Sequence, residues 1–214
     1  MNHLCCRVFL ALLIGIMLPG LALAKTSPQK LSTQALAECN KGRSTSDRDS
    51  RLTHFKKAQA LAEEALKLND KYPDAHYALF CSLGEQLRID GENLSSITGF
   101  REMMAALDRT LELKPDHLNA ISSKGAFLVR LPRILGGDVE RGEQMLRLVI
   151  KKEPTSINAR LNLAKVLADR GNYQEAIHLT TVALKYAEKQ NRQDFIPEAR
   201  ETLEKLRSAN LVSK

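Results

Sequence analysis

The chain has no block of five or six like charges and no basic tract interleaved with aromatic residues. Those are the marks a nucleic-acid binder would carry, so nucleic acid is not an expected partner. It also lacks a G-x-x-x-x-G-K-[ST] loop, a G-x-S-x-G elbow and any Cys/His pair with a family signature. His54, His76, His117 and His178 are scattered, and none has a metal-type partner four residues on. Glu63 and Glu64 are adjacent, and adjacent residues on a helix do not face each other. No catalytic residue, metal ligand or cofactor is therefore assigned. No stretch alternates apolar and polar between turn signals, which excludes a sheet protein.

Long apolar runs are missing too, with one exception. Val8–Leu18 is continuous and apolar, follows the short segment MNHLCCR, and leads into PGLALA. That order of basic start, apolar run and small-x-small end is the pattern of a secretory signal over residues 1–24, cut after Ala24. An uncleaved N-terminal anchor is the alternative. The expected setting is the bacterial periplasm or envelope, with membrane contact only through an uncleaved leader. Arg7 is the only charged residue of the leader, so its removal takes the net charge from +7 to +6. A mildly basic domain over residues 25–214 fits an acidic partner. Cys39 and Cys81 remain, and an even pair in an oxidising compartment favours a disulfide. Two separate buried cysteines would satisfy the sequence as well, because the distance between them cannot be read from it.

What is present is helical periodicity. In FKKAQALAEEALKLN, the residues Phe55, Ala58, Leu61, Ala62, Ala65, Leu66 and Leu68 fall on one stripe of a helix. Pro73, Pro115 and Pro154 follow similar helix ends, EEALKLNDKYPDA, DRTLELKPDHLNA and LRLVIKKEPTSINA. Their intervals are 42 and 39 residues. Recurrence at that spacing marks a stacked helical repeat.

The segment Ile157 to Lys189 resembles the tetratricopeptide repeat. Ala164 stands at the small position of the first helix, whose apolar face is Leu161, Leu163 and Leu167. Gly171-Asn172-Tyr173 makes the turn, Ala176 the crossing point, and Ala183 with Leu184 the seal. Glu188 departs from the family, which has proline there. Units at about 30–69, 74–114, 116–153 and 155–189 share the frame, with Gly125 and Cys81 or a neighbour as small residues. A cap at about 194–208 begins near Pro197. The resemblance implies an all-α, right-handed superhelical stack of about four hairpins.

RLPRILGGDVERG falls inside the third unit, where the fourth has only DRGNYQ. It could cradle a phosphate. The frame makes it an enlarged turn instead, with Pro132 ending one helix and Asp138 capping the next. A similar turn occurs in periplasmic tetratricopeptide proteins of tripartite ATP-independent transporters. The resemblance further implies a concave face lined by the first helices. Its candidate binding residues are His76, Tyr77, Asn119, Ser122, Ser123, Arg160, Asn162 and Lys165. The expected function is a non-enzymatic adaptor holding a peptide or protein, with a transporter accessory subunit as the alternative. Oligomeric state is left open.

Overall fold

A computed structural model describes residues 27–90 and 95–212. The expected leader over 1–24 lies outside them. The described residues form nine α-helices and no strand: α1 (Pro28–Ser44), α2 (Arg48–Leu68), α3 (Pro73–Asp90), α4 (Ser95–Leu113), α5 (Leu118–Arg130), α6 (Val139–Lys152), α7 (Ile157–Asp169), α8 (Tyr173–Lys189) and α9 (Ile196–Val212). Helices pair in order into four hairpins, and α9 closes the stack against α8. The all-α hairpin solenoid expected from the periodicity is what forms. No described helix is long and apolar enough to cross a membrane.

Short polar side chains start these helices, because the first N–H groups of a helix have no partner inside it. Ser27, Asp47 and Asp138 accept from the backbone N–H three residues on. At the start of α5 the cap is His117, whose Nδ1 accepts from the Ala120 N–H at 3.1 Å. Inside the hairpins, small residues let the helices touch. A side chain on Gly125 would meet the Gly142 carbonyl at 3.1 Å, so α5 and α6 cross almost backbone to backbone. In α2 the stripe holds through Phe55, Ala58, Ala62 and Ala65, all fully buried, but Leu68 is exposed where the helix runs out of neighbours.

The core is divided by repeat. Ile121, Leu146, Val149, Ala159, Leu163, Leu167 and Ala176 make the main apolar cluster between the third and fourth hairpins. Around α1, α2 and α3 the clusters are smaller and built largely of alanine. There Cys39 and Cys81, both buried, form a disulfide that ties α1 to α3 with Cα atoms 6.6 Å apart.

Candidate functional site

The first helices α1, α3, α5 and α7 stack so that one face of each borders a groove of about 930 Å³. Tyr77, Asn119, Ser122, Ser123 and Asn162 line it, together with residues that the sequence reading did not single out. Chief among these are Arg43, Arg51, Glu85, Arg88, Asn158, Arg192 and Asp194.

At one end the groove is a set of ion pairs. Arg43 Nε donates to Glu85 Oε1 at 2.7 Å, and Arg88 stands 3.4 Å from the other carboxylate oxygen without hydrogen-bond alignment. Burial alone would lower the Arg43 guanidinium. The Glu85 carboxylate outweighs that and holds it above its ordinary range. Arg51 Nε is buried nearby with no hydrogen-bond acceptor among the described residues. Beyond the end of α8, Arg192 grips Asp194 through two bonds of 2.9 and 2.6 Å and stacks on Phe195.

Toward α7 the lining changes to neutral amides and hydroxyls. Asn158 Nδ2 donates to Ser122 Oγ at 3.0 Å, joining α7 to α5. Asn162 Nδ2 donates to the Asn158 carbonyl at 2.8 Å and to its side-chain oxygen at 2.9 Å. Both acceptors are oxygens, so turning the Asn162 amide over would set oxygen against oxygen; its orientation is decided. That leaves Asn162 Oδ1 buried without a donor, on a side chain whose residue is 2% exposed. A buried acceptor with no partner is costly, and a ligand N–H would relieve it.

Three of the eight candidate residues do not border this groove. His76 donates through Nε2 to the Asp70 carbonyl at 2.7 Å and serves the α2–α3 connection. Arg160, only 7% exposed, turns away from the groove: it donates to the Ser156 carbonyl at the start of α7 and lies 5.4 Å over the Tyr186 ring of α8. Lys165 bonds Glu198 at 2.6 Å across to α9, in a separate hollow. The reason is rotational. Two residues along a helix turn the side chain by roughly 200°, so the positions flanking the packing stripe do not all share its groove side.

The missed residues carried a signal. Cys39 and Cys81 are 42 residues apart, as are Arg43 and Glu85. That interval equals the spacing from Pro73 to Pro115. Equivalent positions of successive first helices are thus neighbours, and matching the first two units at this interval pairs the bond and the salt bridge together. The groove charge is also nearly balanced: five arginines (Arg43, Arg51, Arg88, Arg130, Arg192) face four carboxylates (Glu85, Glu153, Asp194, Glu198). The basic excess of the chain is not concentrated there.

Neither a family model nor a curated protein sequence matches the chain. Solved structures do. The thermophilic tetratricopeptide repeat protein TTC0263 of Thermus thermophilus superposes with a TM-score of 0.51 at 15% identity, over 86% of this chain and all of the other. The fold is that of a tetratricopeptide repeat solenoid. MamA of Desulfovibrio magneticus RS-1, residues 41 to the end, aligns over 84% of this chain and 96% of its own at 17% identity, with a TM-score of 0.45. At these identities the likeness to TTC0263 is one of fold. The tetratricopeptide frame explains why the groove runs along α1, α3, α5 and α7: these are the helices such a stack brings side by side.

Proposed function

We propose that the protein is a non-enzymatic adaptor of the bacterial periplasm or envelope that holds an extended peptide segment of a partner in the first-helix groove. The observation behind this reading is that two residues bordering the groove keep a buried polar atom unpaired among the described residues, Asn162 its Oδ1 and Arg51 its Nε. An extended peptide offers both an N–H and a C=O at every residue, so it can answer a donor and an acceptor along one line. Nearly balanced groove charge favours recognition of backbone and mixed side chains over a strongly acidic ligand. Export is supported by the leader pattern and by the buried Cys39–Cys81 bond, a linkage that persists in oxidising compartments.

Selection of a random peptide library on the immobilised protein, followed by calorimetry on the winners, tests this. Enriched peptides should lose roughly tenfold in affinity on Asn162→Ala, the cost of an unmade buried hydrogen bond. Melting should fall only slightly, because the orphan acceptor goes together with the two Nδ2 bonds to Asn158. Alanine at His76 or Lys165 should leave binding as it was. No enrichment, or equal affinity for Asn162→Ala, overturns the reading.

A further inference from the structure

The α5–α6 turn holds more chain than a hairpin requires. The α7–α8 hairpin reverses through Arg170-Gly171-Asn172, whereas α5 and α6 are joined by residues 131–138. The extra residues are not slack. Leu135 N–H and Gly137 N–H both donate to the Pro132 carbonyl, and Asp138 N–H donates to Leu128 O at 2.9 Å. Gly136 takes φ 87°, and a side chain on Gly137 would collide with the Leu131 carbonyl. The result is a closed 3₁₀ knob over Arg133–Leu135. It points two large apolar side chains outward, Ile134 at 92% and Leu135 at 64% exposed.

Arg133 on the knob and Arg141 in the first turn of α6 are exposed and make no ion pair among the described residues. The carboxylates near them are engaged: Asp138 accepts the Arg141 backbone N–H, and Glu140 stands 3.7 Å from Arg170. Arg147 on the same helix, by contrast, pairs with Glu143 and Glu175.

We propose that this knob is a membrane-surface contact, in which Ile134 and Leu135 enter the headgroup layer of an anionic bilayer and Arg133 and Arg141 hold lipid phosphates. Charge complementarity selects the occupant. Exposed apolar side chains beside unpaired arginines match a surface of phosphates over an apolar interior. The knob is also convex. A fluid headgroup layer opens around a protrusion, whereas a folded partner would need a preformed pocket for it. Guanidinium groups suit phosphate because their N–H groups form a planar fork. The contact would set the hairpin-turn edge of the solenoid against the membrane.

The chain has no tryptophan, so Ile134→Trp in the full chain provides a single indole at the tip. Its emission is read with vesicles of phosphatidylcholine alone, or mixed in equal parts with phosphatidylglycerol, each with and without brominated acyl chains. The apolar run Val8–Leu18 can bring the chain to any vesicle, so the reading is taken at residue 134 and not from sedimentation. A blue shift with bromine quenching on the anionic vesicles, lost in high salt, is expected. Adding Arg133→Glu and Arg141→Glu should weaken that shift at least tenfold in lipid concentration, with the thermal melt unchanged. Emission that stays at the solvent-exposed wavelength on both vesicles overturns the proposal. So does an equal response to both lipids. A shift that grows with protein concentration without lipid would make the knob a contact for a second copy, and would overturn it as well.

Discussion

The seam between the first and second hairpins and the seam between the second and third join similar helices by opposite means. In the first, α1 packs closely along α3, and the meeting points are Ala35, Ala62 and Ala78, all fully buried. Few large side chains lie there beyond Phe55, Leu36, Leu61 and Leu79, and the Cys39–Cys81 bond adds a covalent tie to their burial. In the second, α3 and α5 stand further apart, and rings fill the space. Phe127 meets Phe80 and Phe100 edge-on at 6.1 and 6.0 Å, and Tyr77 lies 4.8 Å from the His117 ring. His117 spends Nδ1 on its capping bond, so Nε2 carries the proton and donates to Asp74 Oδ1 at 3.1 Å. Burial pushes the Tyr77 hydroxyl up, against an interaction with Ser123. Small residues make a tight joint with little apolar area of its own. Rings hold a wider joint and leave room for a groove beside it.

Breaking the two seams separately should show this difference. The largest effect belongs to the bond. Its 42-residue separation makes the Cys39→Ala/Cys81→Ala pair cost about 4 kcal/mol by the chain-entropy account, read by denaturant unfolding. A reductant should lower the melting temperature of the wild type and leave that double variant unmoved. Phe127→Ala should cost about 3 kcal/mol through lost burial and ring contacts, the same with or without reductant. Acid comes next. Glu38, in the first hairpin, bonds His54 across to α2 at 2.7 Å, and Lys41 and Lys57 at 3.1 Å. The His54 ring, then the two lysines, hold its carboxyl down to about 2 against the effect of burial. A depressed carboxyl stabilises the fold above its ordinary value near 4.5 and loses that contribution as pH falls toward 2. Glu38→Gln should flatten the acid limb of a stability–pH curve by roughly 2 kcal/mol, after allowance for its exposed lysine partners. Ala62→Leu should cost about 2 kcal/mol by overpacking the tight seam. Asp74→Asn, at a half-exposed link in the wide seam, should cost about 1 kcal/mol or less.

Much of this architecture was legible. The 42- and 39-residue intervals between Pro73, Pro115 and Pro154 mark where hairpins begin, and each proline falls at or just before a first helix. Asp138 was legible as a cap because capping is local: the carboxylate reaches an N–H three residues away. The groove was legible only in part. Tyr77, Asn119, Ser122, Ser123 and Asn162 border it, but Arg160 and Lys165, from the same short run as Asn162, turn to α8 and α9. Helical spacing says which residues share a face, while the rotation of α7 against its neighbours says which face meets the groove. Arg43 and Arg51 were missed because the first unit has the weakest repeat pattern, and its frame emerges only once Cys39 is set beside Cys81.

Periodicity, turn residues and caps act over three or four positions, and by themselves they determined that this chain forms amphipathic helices paired in hairpins. Tertiary structure alone decided that Asn162 keeps an acceptor unpaired and that Ile134 and Leu135 stand in solvent. Each of those facts is the absence of a neighbour, and a neighbour comes from another helix, placed by packing over distances that no local pattern encodes.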